Sequence, residues 1–123
     1  MGNDADLQVN GPVLSRVTSG IVQIYAQQYG KGPVHARTHL VGDGVLCVLH
    51  DALTVAELTL VGRGQGAAVH TMRRAWQDAM RDDFQEVVEA ATGRRVSAFL
   101  SQVSLEPDLH LEYFRLEPAT AGN

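Results

Sequence analysis

Thr92-Gly93-Arg94-Arg95-Val96-Ser97-Ala98-Phe99-Leu100-Ser101 is the stretch where a long amphipathic helical pattern stops at a glycine and a strand begins at once. A glycine just after the last apolar helical residue suits the left-handed conformation that ends a helix, and the β-branched and aromatic residues beyond it suit a pleated strand. Upstream, residues 67–91 carry the strongest helical pattern of the chain. Val69, Met72, Trp76, Met80 with Ala79, Phe84, Val87 or Val88, and Ala91 form one stripe, while Arg73, Arg74, Gln77, Asp78, Arg81, Gln85 and Glu89 fall largely away from it. The spacing predicts one long helix of about 37 Å. Downstream, residues 95–104 and 109–116 read as two strands joined by a turn at Glu106-Pro107-Asp108, an antiparallel hairpin.

The amino-terminal half repeats the theme. Asn10-Gly11-Pro12 marks a helix start, and Val13, Val17, Ile21, Ile24 and Gln28, with Leu14 and Tyr25 beside them, recur at helical spacing until Gly30-Lys31-Gly32-Pro33 stops them. Residues 34–41 and 45–50 then alternate as strands around Gly42-Asp43-Gly44, a hairpin signal because aspartate and glycine tolerate the positive φ of tight turns. The first strand has one wet face, with His35, Arg37 and His39 opposite Val34, Ala36, Thr38 and Leu40. The second, Val45-Leu46-Cys47-Val48-Leu49, is apolar on both faces and reads as central. Thr54 and Glu57 have capping-box spacing at the start of a short helix over residues 55–61.

These elements predict an α+β fold: a four-stranded sheet made of two hairpins, with an N-terminal helix, a short helix and one long helix packed on it. Residues 11–117 form one domain, flanked by flexible tails at 1–10 and 118–123. The 123 residues are 45% hydrophobic and 20% charged, an ordinary globular balance. Sheet strands that are apolar on both faces need cover on both sides, and three helices do not supply it; a homodimer would.

No run is long enough to span a bilayer and the N-terminus lacks the features of a signal peptide, so a cytoplasmic protein is expected. The lone Cys47 fits a reducing compartment. A net charge of -4 disfavours nucleic acid as a partner. His35 and His39 share a strand face but stand about 13 Å apart, too far to share an ion, so no metal site is expected. Cys47 belongs to the core, and Ser97, Ser101 and Ser104 lack the sharp turn of a hydrolase nucleophile. With no convergent acid, base or nucleophile set, an enzyme is not expected. No cofactor is implied.

Two places favour an anion or a partner. Gly62, Arg63 and Gly64 belong to a glycine-rich loop before the long helix, where free amides and the positive helix end can face an anion. Arg73, Arg74, Arg94 and Arg95 add to an arginine-rich third of the chain, although interleaved Asp78, Asp82, Asp83, Glu86 and Glu89 also permit a solvated charged face.

Tyr29-Gly30-Lys31-Gly32-Pro33, Leu53-Thr54-Val55-Ala56-Glu57, Thr92-Gly93-Arg94-Arg95-Val96 through Phe99-Leu100-Ser101, and Pro107-Asp108 with Glu112 and Phe114 together resemble the MpsC-like family. The likeness covers roughly residues 12–117. Of its motif positions, Gly30, Gly32, Pro33, Thr54, Glu57, Thr92, Gly93, Phe99, Ser101 and Pro107 sit mostly at turns and caps and read as structural. The resemblance implies a bacterial, non-enzymatic accessory or regulatory protein linked to a membrane potential-generating or inorganic-carbon uptake system. On that reading it acts through protein contacts with a transport or energisation complex, at the inner face of the membrane, without a transmembrane segment of its own. The alternative is a sensor domain that binds a small anion or nucleotide through the arginine-rich long-helix region.

Overall fold

The computed structural model describes residues 9–119. Helix α1 (Gly11–Ile24) runs into a π-helical turn (Tyr25–Tyr29), followed by β1 (His35–Val41), β2 (Gly44–His50), α2 (Val55–Gly62), α3 (Gly66–Ala79), α4 (Arg81–Thr92), β3 (Val96–Ser104) and β4 (Leu109–Leu116). The expected tail residues 1–8 and 120–123 lie outside the described residues. Val9 is buried, and the Asn10 side chain accepts a hydrogen bond from the Val13 amide at 3.2 Å to cap α1.

The sheet has the order β1-β2-β4-β3, antiparallel throughout. Each hairpin forms as the turn residues dictate, with Gly42 at φ 55° between β1 and β2. The Glu106–Pro107 peptide between β3 and β4 is cis. The hairpins then join through β2 and β4, leaving β1 and β3 as edges. Gly44 sits where this join is tightest, since a Cβ there would lie 2.4 Å from the Phe114 carbonyl oxygen.

Strand alternation sorts the sheet into two faces. On one, Thr38, Val45, Cys47, Leu49, Phe99, His110, Glu112 and Phe114 are buried, and the helices pack there. Phe99 and Phe114 stack with ring centroids 4.8 Å apart, and Phe84 from α4 reaches Phe99, Trp76 and Tyr25 at 5.8–5.9 Å. Helix α1 supplies Val13, Val17, Ile21 and Tyr25. It crosses α4 closely: a Cβ on Gly20 would lie 2.4 Å from Cγ1 of Val87.

The long helix differs from the expectation in two respects. It divides at Met80 (φ -95°, ψ 5°), although Met80 N–H still reaches the Trp76 carbonyl at 2.9 Å and the Phe84 amide still reaches the Met80 carbonyl at 3.0 Å. Its buried stripe is also turned by one residue in α3: Met72 is 59% exposed, while Arg73 and Gln77 are 0% and 4% exposed. The reason is chemical, because an arginine faces inward when buried acceptors are in place to receive it. On α4 the stripe is apolar again, with Phe84 and Val88 buried.

Candidate functional site

Arg73 is the largest fully buried side chain among the described residues. Its Nε donates to Glu57 Oε2 at 2.8 Å and its Nη2 to Glu57 Oε1 at 2.6 Å, a two-point fork that matches guanidinium to carboxylate. Nη2 also donates to the Ala52 carbonyl at 2.9 Å, and the guanidinium lies over the Tyr29 ring with its carbon 3.8 Å from the centroid. Glu57 in turn completes the expected capping box: Oε1 accepts from the Thr54 amide at 2.8 Å, and the Glu57 amide donates to Thr54 Oγ1 at 3.1 Å. The Tyr29 hydroxyl donates to the same carboxylate. Burial alone would raise the Glu57 carboxyl, yet the hydrogen bonds from Arg73, Tyr29 and Thr54 outweigh it and hold the group below its ordinary range.

A second chain of buried polar groups runs beside the first. Gln77 Nε2 donates to the Tyr25 hydroxyl at 3.0 Å, and that hydroxyl donates to Oε2 of Glu112, which is fully buried on β4. Desolvation raises the Glu112 carboxyl to about 7. The Tyr25 hydroxyl is pushed well above its usual range, first by burial and then by Glu112. On the same strand His110 contacts Asp108 Oδ1 through Nε2 at 3.0 Å, and burial with the nearby Arg73 charge lowers the imidazole to about 4. Neutral at pH 7, His110 therefore donates from Nε2 and keeps Nδ1 as an acceptor. The Asp108 carboxylate also receives the Ala52 and Leu53 amides at 3.1 and 2.9 Å, tying the β3–β4 turn to the entry of α2.

Glu112 and His110 titrate in opposite senses. The folded chain keeps a Glu112 proton that the unfolded chain releases between pH 4.5 and about 7, so this contribution to stability falls as pH rises through that window. The folded chain refuses a His110 proton that the unfolded chain binds below pH 6.5, down to about 4, so this contribution falls as pH falls. The slopes offset one another where they overlap. Glu112→Gln should remove the first slope, keep an acceptor for Tyr25, and gain on wild type by up to about 3 kcal/mol between pH 4 and 8. Urea midpoints across that range check it; parallel curves for the two proteins would contradict the assignment.

Beside the cluster, α3 and β3 leave a cleft of about 240 Å³ whose lining includes Arg73, Arg74, Gln77, Arg81, Phe99 and Ser101. Arg81 reaches across its mouth, with its guanidinium carbon 5.1 Å from the Phe99 ring centroid and Nη2 4.0 Å from Asp78. Of the arginines and glycines singled out by sequence, Arg73 and Arg74 line this cleft. Gly62, Arg63, Gly64, Arg94 and Arg95 are not part of its lining. Arg63 ends α2 and is exposed, its amide donating to the Thr59 carbonyl at 3.0 Å. Arg94 Nε donates to the Glu117 carbonyl at 2.9 Å, and the Arg95 carbonyl accepts the Glu117 amide at 2.8 Å, so both belong to the helix-to-strand junction.

The motif residues at that junction have structural work. Gly93 adopts φ 71° and its amide reaches the Glu89 carbonyl at 2.8 Å; Thr92 Oγ1 donates to the Val88 carbonyl at 2.8 Å and accepts from the Arg94 amide at 3.2 Å. Gly30, at φ 94°, likewise ends the first helical segment. Sequence reading missed Gln77, Tyr25, His110 and the second role of Glu57. The one available signal was that Glu57, already needed as a cap, had an arginine in the following helix.

Cys47 is buried beneath the helices, and burial pushes its thiol up to about 12, far from nucleophilic use at neutral pH. Among the described residues no group of three or more His, Cys, Asp or Glu side chains could hold a metal ion. No helix among them is long and apolar enough to cross a membrane.

An antiparallel sheet covered by helices on one face, with two adjacent buried polar chains beneath them, defines a small α+β domain. The chain belongs to the MpsC family, described as a Na+-translocating membrane potential-generating system (MpsC), with the match extending over residues 11–118. Comparison with curated proteins and with solved structures gives no match.

Proposed function

We propose that this chain is a non-enzymatic accessory or regulatory subunit of a membrane potential-generating or inorganic-carbon uptake system, acting through protein contacts. Membership of a family described by a Na+-translocating membrane system supports the link to such machinery. The observation that carries the mode of action is the outer face of the sheet. Leu46, Val48, Leu111 and Tyr113 alternate with the buried residues of β2 and β4 and so point away from the helices, and Leu100 on β3 is 64% exposed. An apolar sheet face of this kind is a docking surface when it is larger than scattered exposed residues account for.

Its first occupant is a second copy of the chain. A twofold pairing sets the apolar strip of one protomer on that of its partner, with His35, Arg37 and His39 of β1 along the rim. The domain then works at the inner, cytoplasmic face of the membrane, held there by the complex it serves. Light scattering at micromolar concentration should give twice the chain mass of 13.3 kDa, and Leu46→Glu with Leu111→Glu should give the monomer while keeping the far-ultraviolet spectrum. A wild-type monomer would refute the pairing. Co-purification of tagged wild-type chain with a membrane complex tests the accessory role separately, and failure to recover one from gently solubilised membranes would count against it.

A further inference from the structure

The sheet ends differently on its two sides. At one edge, β3 is bulged between Val96 and Ala98, and the Val96 amide is taken by Glu89 Oε2 of α4 at 2.8 Å. At the other, β1 pairs with β2 in unbroken register from His35 opposite His50 to Val41 opposite Gly44. Bulges and prolines are common ways of blunting an edge, and β1 has neither. Its two-residue turn at Gly42-Asp43 makes Val41 and Gly44 a hydrogen-bonded pair, so His35, Arg37, His39 and Val41 bond to β2. Alternation then turns the N–H and C=O of Ala36, Thr38 and Leu40 outward in the plane of the sheet, and among the described residues no strand lies beyond them.

Helix α1 packs along this edge and is fastened to it by a 2.7 Å hydrogen bond between the Thr18 and Thr38 hydroxyls. A cleft of about 440 Å³ lies between them, bordered by Gly11, Leu14, Ser15 and Ser19 of α1 and by Ala36 and Arg37 of β1. The small side chains leave room for a backbone to reach the edge, and Leu14 supplies an apolar contact. Charge sets the preference. Residues 11–41, which make up α1, the π-helical turn and β1, contain Arg16, Lys31 and Arg37 and no aspartate or glutamate, in a chain whose net charge is -4. Along β1, Ala36 and Thr38 face α1, while His35, Arg37 and His39 are exposed on the other side. Pairing of β1 with the β1 of a second copy brings two Arg37 side chains together on one face, which is unfavourable.

We propose that the β1 edge and the α1 cleft together bind an extended acidic segment of a partner protein, which joins the sheet as a fifth strand. Its backbone bonds to Ala36, Thr38 and Leu40, its apolar side chains enter the cleft beside Leu14, and its alternate acidic side chains face His35, Arg37 and His39. The seven residues of β1 give it about 23 Å of edge. This specifies a partner for the protein-contact reading above and rests on it. It does not rest on the pairing of outer faces, because edge groups point along the sheet and not out of it.

Nuclear magnetic resonance on the full chain tests it with two probes, an octapeptide alternating valine with aspartate and one alternating valine with lysine. In the free chain the amides of Ala36, Thr38 and Leu40 should exchange with solvent at least tenfold faster than those of Arg37 and His39. The acidic octapeptide should bind saturably, at least tenfold tighter than the basic one, and slow exchange of the three edge amides. Leu40→Pro removes an outward N–H where an edge strand tolerates proline, and should weaken binding about tenfold with an unchanged far-ultraviolet spectrum. Arg37→Glu, at an exposed position, should weaken it as much without lowering the melting temperature. Edge amides already protected in the free chain would overturn the proposal, whether a second copy or another segment covers them. So would the absence of saturable binding, equal binding of the two peptides, shifts centred on the outer face, or an Arg37→Glu protein that binds as wild type does. The titration needs no membrane complex, so a negative result strikes the edge alone, whereas failed co-purification strikes the accessory role.

Discussion

Glu57→Gln should cost about 3–5 kcal/mol of folding stability, because it leaves the Arg73 guanidinium buried without a counter-charge. The side chains of Arg73 and Glu57 are 1% and 6% exposed, so water cannot replace what is lost. Glutamine keeps an oxygen for the Thr54 amide, which separates the charge effect from the cap. Thr54→Ala, which removes only the capping hydroxyl, should cost about 1 kcal/mol. The double variant Glu57→Gln with Arg73→Met should recover much of the deficit, since removing both charges abolishes the uncompensated ion. Urea denaturation of the four proteins measures all of this. A Glu57→Gln protein within 1 kcal/mol of wild type would mean that Arg73 is not held as described.

Phe84→Ala should be comparably severe, at about 3–5 kcal/mol. Phe84 is fully buried, and its ring meets Tyr25, Trp76 and Phe99, so truncation opens a cavity where α1, α3, α4 and the sheet converge. Trp76 is the single tryptophan of the chain, and its near-ultraviolet signal should weaken as its packing loosens. Met72→Ala provides the contrast. The periodic pattern puts Met72 on the same stripe as Phe84, yet at 59% exposure its truncation should cost less than about 0.5 kcal/mol. Equal losses at the two positions would restore the unrotated stripe.

That comparison marks how far local pattern reaches. Asn10, Gly30, Thr54, Gly42 and Gly93 each end or start an element by a rule that involves only neighbouring residues, and each is found in the role expected of it. Arg73 could not be read this way. Hydrophobic periodicity treats an arginine as outward-facing, and what turns it inward is a carboxylate 16 residues earlier together with the Ala52 carbonyl. Glu112 is less legible still: it alternates correctly to lie on the helix-covered face, but its partner Tyr25 is 87 residues away.

The sequence by itself determined the helix-to-strand junction at Gly93, the two hairpins, the α+β class and the apolar character of β2, because caps, turns and alternation act over a few residues. The tertiary structure alone decided that β4, not β3, pairs with β2, that the long helix divides at Met80, and that Arg73 and Gln77 face inward. Those outcomes depend on which distant groups meet out of water, and a buried charge is tolerated only where its partner has been brought to it.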